Sequence, residues 1–270
     1  MRRLILALTA ATAAAATIAA TKQPPAPSPL PEGVQTPQPA PAEGGYPYLI
    51  FKPRGYDADK TQQWPLVIFL HGSGERGSDI EMVKKNGPTK IVAQHPGSPF
   101  LLVSPQLEAP SDEDRRWDTA KLDQLLASIR AKYRVDSSRI YLTGLSLGGY
   151  ATWAWALRHP ELFAAIVPVA GLSEDNDLDP CVLKDMPIWA FHGDQDDVVD
   201  PQAGFAIVKK VDACKGSVRP RMTIYPQMTH GSWEPAYDDP AMWRWLLEQR
   251  RTVPAPGGPQ ETSKKKADKK

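Results

Sequence analysis

The stretch RIYLTGLSLGGYATWAW, residues 139 to 155, limits the fold more than any other part of the chain. An apolar, strand-like run enters Gly144-Leu145-Ser146-Leu147-Gly148 and leaves it in a helical pattern. A strand that turns directly into a helix forces the residue at the corner into a strained backbone conformation. A Cβ two positions before or after that corner would collide with neighbouring backbone, so glycine is needed at both places. The strain lifts the Ser146 side chain above the end of the strand. The helix that starts there aims its unpaired N–H groups at the same spot. A Gly-x-Ser-x-Gly pentapeptide alone could be a glycine-rich turn with an incidental serine. The strand before it and the helix after it give the motif its meaning.

The rest of the chain supplies the sheet that such a corner needs. Strand candidates are YLIFKP (48–53), PLVIFLHG (65–72), PFLLVSPQ (99–106), RIYLTG (139–144), FAAIVPVAG (163–171), MPIWAFHG (186–193) and RMTIYP (221–226). Most are continuous apolar runs, as expected of strands buried on both faces of a parallel sheet. Helical patterns fall between them at 118–133, 147–160, 201–214 and 239–250. In the first, Leu122, Leu125, Leu126 and Ile129 share one face. The alternation predicts an α/β fold: a mostly parallel central sheet with helices on both faces, in one domain over residues 46–250.

The two ends read differently. Residues 1–20, MRRLILALTAATAAAATIAA, have a basic start, an apolar middle and small residues after it, the parts of a secretory signal peptide. They predict export to the periplasm or medium, with no stable membrane anchor. Residues 21–45 are rich in Pro, Ala and Gly and read as an extended linker; residues 251–270 read as a disordered, lysine-rich tail. The formal net charge of +1 gives no basic excess for nucleic acid to recognise.

A serine hydroxyl is a weak nucleophile until a base takes its proton. There are five histidines, and only His192 and His230 lie well downstream of Ser146. In this architecture the order is serine, acid, histidine. His230 follows the last strand and is the candidate base, whereas His192 precedes the acids and reads as a structural contact at a strand end. Asp194, Asp196, Asp197 and Asp200 in HGDQDDVVD all qualify as the acid by type, and spacing does not choose among them. FLHGSGERG (69–77) places glycines after an early strand, where backbone N–H groups can approach a ligand. Trp117 and Trp233 are candidates to line a substrate pocket, with core or rim packing as the alternative. Cys181 and Cys214 are the two cysteines, and in an exported chain they predict one disulfide.

Together, FLHGSGERG, the 139–171 stretch, PIWAFHGDQDDVVD and THGSWEPAYDDPAMWRWLLEQ resemble an α/β-hydrolase. More narrowly, they resemble secreted bacterial esterases of the polyhydroxybutyrate depolymerase-like and phospholipase/carboxylesterase-like group. The resemblance covers most of residues 46–250 and implies no large cap domain. Its His-Gly-x-x-Asp-x-x-Val pattern falls on His192, Gly193, Asp196 and Val199, which implies Asp196 as the acid, with Asp197 as the fallback. It also implies oxyanion donors at the backbone N–H of Leu147 and of a residue in the His71–Gly74 loop, Ser73 foremost. The implied activity is hydrolysis of small-molecule or polymer-linked esters through an acyl-enzyme, with no metal or organic cofactor. The competing expectations are a serine peptidase of the prolyl oligopeptidase type and a non-catalytic binding domain on the same fold.

Overall fold

Continuous apolar runs are buried on both faces because successive strand residues point to opposite sides of the sheet. In the strand β3 (Trp64–Leu70), Leu66, Ile68 and Leu70 enter one core cluster, and Val67 and Phe69 enter the other. The computed structural model describes residues 30–108, 116–174 and 177–251. The remaining strands are β1 (Gln35–Gln38), β2 (Tyr48–Phe51), β4 (Leu101–Pro105), β5 (Val135–Leu145), β6 (Ala165–Val169), β7 (Trp189–Gly193) and β8 (Arg221–Tyr225). They form one sheet in the order β1-β2-β4-β3-β5-β6-β7-β8. β1, β2 and β4 pair antiparallel, and every pairing from β4 to β8 is parallel.

The helices divide between the two faces. α2 (Thr119–Lys132), α3 (Leu147–Arg158) and α4 (Pro201–Ala213) pack into one core cluster. α1 (Gly87–Gln94), α5 (Trp233–Asp238) and α6 (Pro240–Glu248) pack into the other. Aspartates start three of the helices. The carboxylates of Asp118, Asp200 and Asp239 accept backbone N–H bonds in the first turns of α2, α4 and α6, which satisfies donors that a helix leaves unpaired. After β3 the chain passes to β4 on one side and then to β5 on the other, so strand order reverses between β3 and β5. A crevice outside the carboxyl ends of strands at such a reversal is where open α/β sheets bind ligands.

The expected linker is corrected over residues 30–45. Within it, β1 pairs antiparallel with β2, Gln35 opposite Phe51. Leu30 O accepts from Lys52 Nζ at 2.8 Å, and the Glu32 carboxylate accepts the N–H groups of Gly55 and Asp57 at 2.8 and 2.6 Å. β1 (QTPQ) has no apolar run to betray it. Its sheet edge needs only backbone bonds, and an edge strand tolerates Pro37. The signal-peptide stretch and residues 252–270 of the tail lie outside the described residues. Among the described residues, no helix is long and apolar enough to cross a membrane.

Cys181 and Cys214 are bonded, with Cα atoms 5.4 Å apart and a sequence separation of 33. The loop they close contains β7, the turn after it and α4. In the chain-entropy account, closing a loop of that length is worth roughly 3 to 4 kcal/mol. Replacing both cysteines with serine should therefore lower the melting temperature by on the order of 10 °C. Thermal unfolding followed by circular dichroism checks this, and an unchanged midpoint would show that the crosslink adds nothing.

Candidate active site

Ser146 sits at the carboxyl end of β5 with φ 51° and ψ −118°, a conformation that L-residues other than at such corners rarely adopt. Its N–H donates to Val169 O at 3.0 Å, which holds the corner against β6. A Cβ on Gly144 would lie 2.3 Å from Gly148 O, and one on Gly148 would lie 1.9 Å from Leu70 O. Those contacts are with backbone, which cannot swing away. Gly148→Ala should then cost more than about 3 kcal/mol, beyond ordinary overpacking, and lower the melting temperature by roughly 6 to 12 °C. A calorimetric midpoint within 2 to 3 °C of wild type would mean α3 can move off β3, contrary to this account.

The structure brings together Ser146 and His230, 84 residues apart in the chain. His230 Nε2 lies 2.9 Å from Ser146 Oγ, and Nδ1 lies 2.8 and 3.0 Å from the two carboxylate oxygens of Asp196. An ionised carboxylate only accepts, so Nδ1 carries the proton and Nε2 is left to accept from the serine hydroxyl. The turn carrying Asp196 is bound to the loop before His230: Asp194 N–H donates to Tyr225 O at 3.1 Å, and Gln195 N–H to Met228 O at 3.0 Å. Gly193 allows this, since its Cβ would meet Met228 O at 2.2 Å. Asp194, Asp197 and Asp200 are exposed.

Asp196 is buried and well supplied with donors. Oδ1 accepts the N–H groups of Val198 and Val199 at 3.0 and 2.9 Å. His192 is also buried; its Nε2 lies 3.2 Å from Asp196 Oδ2 and 3.0 Å from Val199 O. Sequence reasoning placed His192 as a strand-end contact but did not see that it reaches the acid. Burial opposes the charge on Asp196, but the bonds from His230, Val199 and Val198 outweigh it and hold the carboxyl below its usual range.

The loop after β3 is set by His71. Its Nδ1–H donates to Gly72 O at 2.6 Å, and its Nε2 accepts Leu107 N–H at 3.0 Å. Burial pushes the imidazole down to about 4, so it is neutral at pH 7. Beside it, the buried Glu75 carboxylate accepts from the Asn86 amide. Ser73 opens the short 3-10 turn that follows. Leu147 is the first residue of α3, so its N–H has no acceptor within the helix. Both line a cleft of about 570 Å³ that also touches Ser146.

Trp117 lines that cleft, with its indole N–H 3.4 Å from His71 O. Trp233 does not belong to the cleft's described lining. Its ring packs edge-on against His230, with centroids 5.1 Å apart and planes at 90°. Tyr150 and Val198 line the cleft and were not singled out from the sequence. Tyr150, one helical turn past Ser146, shares its side of α3 by sequence spacing alone.

A serine, a histidine and a carboxylate in hydrogen-bonded series, at a strand-order reversal, can activate a hydroxyl toward a carbonyl carbon. Sheet order and architecture make the chain an α/β-hydrolase. It belongs to the Phospholipase/Carboxylesterase family, whose model matches residues 57–239. Among curated proteins it is 28% identical over 120 residues to a poly(3-hydroxyalkanoate) depolymerase C of Paucimonas lemoignei, covering 40% of this chain and 28% of that protein. It is 27% identical over 128 residues to a probable feruloyl esterase C of Aspergillus terreus, covering 47% of each. The chain therefore spans less than half the length of either. Among solved structures, a thermostable esterase superposes with a TM-score of 0.65 at 32% identity, covering 81% of this chain and 63% of that one.

Proposed function

We propose that the protein hydrolyses carboxylic esters through an acyl-enzyme formed on Ser146. The observation that carries this reading is the series Ser146 Oγ to His230 Nε2 at 2.9 Å and His230 Nδ1 to Asp196 at 2.8 Å. The esterases among its relatives and its family support the same chemistry. His230 takes the hydroxyl proton as Ser146 attacks the ester carbonyl. Asp196 keeps the imidazole in the right tautomer and stabilises its charged form. The N–H groups of Leu147 and Ser73 receive the oxyanion. His230 then gives its proton to the departing alcohol oxygen. A water, deprotonated by the same nitrogen, releases the acid and restores Ser146.

The substrate is a small-molecule or polymer-linked ester, met outside the cytoplasm if residues 1–20 direct export. The catalytic domain runs from residue 30, where Leu30 and Glu32 are tied to the 52–57 loop, rather than from 46. The purified chain should hydrolyse p-nitrophenyl acetate and leave a chromogenic dipeptide intact. Cleavage of the dipeptide alone would favour a peptidase, and no cleavage of either would favour a binding domain.

A further inference from the structure

One buried, titratable side chain beside the triad takes no part in the proposed reaction. His192 lies on β7, one position before its end and four before the acid; its side chain is 1% exposed and that of Asp196 is fully buried. Two oxygens face its Nε2: Val199 O at 3.0 Å and Asp196 Oδ2 at 3.2 Å. Carbonyl and carboxylate oxygens only accept, so Nε2 carries a proton. The N–H is bonded to Val199 O, and Oδ2 sits beside its positive end. The first residues of α4 close off another side of the ring. A Cβ on Gly204 would lie 2.8 Å from His192 Nδ1, so glycine lets the helix press against the imidazole.

The reach of this contact follows from how the carboxylate is held. The N–H groups of Val198 and Val199 fix Oδ1 at 3.0 and 2.9 Å. One fixed oxygen leaves the carboxylate free to twist about Cβ–Cγ, a torsion with broad minima. A twist moves Oδ2 away from His230 Nδ1, which donates to it at 2.8 Å. His192 opposes the twist at two points. Its bond to Val199 O steadies the residue whose N–H grips Oδ1. Its own polar edge attracts Oδ2 and blocks its path. We infer that His192 is a positioning residue for the triad: it orients Asp196, and through Asp196 the ring and tautomer of His230, without touching substrate.

This inference rests on the proposed hydrolysis through Ser146, and the test separates the two. His192→Leu keeps a side chain that fits a buried site and removes the N–H. On p-nitrophenyl acetate its kcat should fall roughly 10- to 100-fold, the scale of losing a partner that orients a reacting group from behind. KM should stay within about twofold, because acylation and deacylation both use His230 and slow together. Glutamine carries its amide nitrogen as many bonds from Cα as Nε2, so His192→Gln should recover most of the rate. His192→Asn, one bond shorter, should not. In the Asp196→Asn background, His192→Leu should cost no more than about twofold, since the group it acts through is gone. Where turnover is too slow, the rate at which a fluorophosphonate labels Ser146 reads the same activation. If the leucine variant does not fold, Gly204→Ala pushes the ring aside and should give the same loss of kcat at unchanged KM. An equal loss in both backgrounds, a folded His192→Leu protein with wild-type kcat, or no recovery with glutamine would overturn the positioning role while leaving ester hydrolysis standing. A wild-type protein that cleaves no ester would overturn the hydrolase reading and the positioning role with it.

Discussion

Ser146→Ala is expected to abolish ester hydrolysis, with turnover falling by about a millionfold, the scale set by removing the nucleophile of a serine hydrolase. The folded domain should survive the change. The hydroxyl makes one side-chain contact, with His230 Nε2 at 2.9 Å. The corner itself is held by backbone and by glycine: Ser146 N–H on Val169 O, and Gly144 and Gly148 against backbone oxygens. Alanine must adopt the same φ of 51° and bears the same strain as serine. Ser146 is the N-cap of α3, but its side chain makes no capping bond, so the melting temperature should stay within about 2 °C of wild type. Initial rates on p-nitrophenyl acetate check the first part, and thermal unfolding the second. A fluorophosphonate should label the wild-type chain on the peptide containing Ser146 and leave the variant unlabelled. A folded variant that keeps more than a few per cent of the wild-type rate would mean another group attacks the ester.

Much of this fold is legible in the sequence because burial on both faces leaves continuous apolar runs; the seven strand candidates, most of them such runs, fall on β2 through β8, the half-exposed β8 (RMTIY) being the exception to the pattern. What was not legible has physical causes. β1 is held by backbone bonds at a sheet edge, and no side-chain pattern reports backbone pairing. α1 begins Gly87-Pro88, residues that usually break structure; proline is nevertheless at home in a first helical turn, where its missing N–H costs nothing. At the site, Ser146 announces itself through local geometry, and His230 through its place after the last strand. Asp196 could be separated from its neighbours only by resemblance, because four carboxylates on one turn are chemically alike. The turn separates them by direction: Asp196 faces inward onto Val198, Val199 and His230, and Asp197 faces solvent. The cleft was illegible for a different reason. Its walls come from α3, the start of α2 and the acid turn, and only the sheet order makes those neighbours.

Asp196→Asn should lower turnover on the order of ten-thousandfold, and Asp197→Asn should change it by only a few-fold. The ranking follows from where donors already stand. The oxygen of an asparagine at 196 is drawn to the Oδ1 position, where Val198 and Val199 both present N–H groups at 3.0 and 2.9 Å. Its NH2 group then takes the Oδ2 position and faces His230 Nδ1, where the carboxylate now accepts at 2.8 Å. A donor facing Nδ1 favours the tautomer protonated on Nε2. That nitrogen then points a proton at Ser146 Oγ and cannot accept one, which is the tautomer defect that costs about 10⁴ in a serine protease. His192 Nε2, 3.2 Å from the same oxygen, adds to the penalty because it too would face a donor. The exposed Asp197 carboxylate reaches none of these groups. The pH dependence has a definite sign. Asp196 is held below its usual range in the folded protein, so it stabilises the fold above its unfolded pKa and loses that contribution as pH falls through its folded value. Asparagine does not titrate. The stability difference between wild type and Asp196→Asn should thus shrink as pH falls through the carboxylate range. Urea titrations of both proteins from pH 7 downward measure it, alongside kcat for the two asparagine variants. A larger loss of turnover in Asp197→Asn than in Asp196→Asn would move the acid to Asp197.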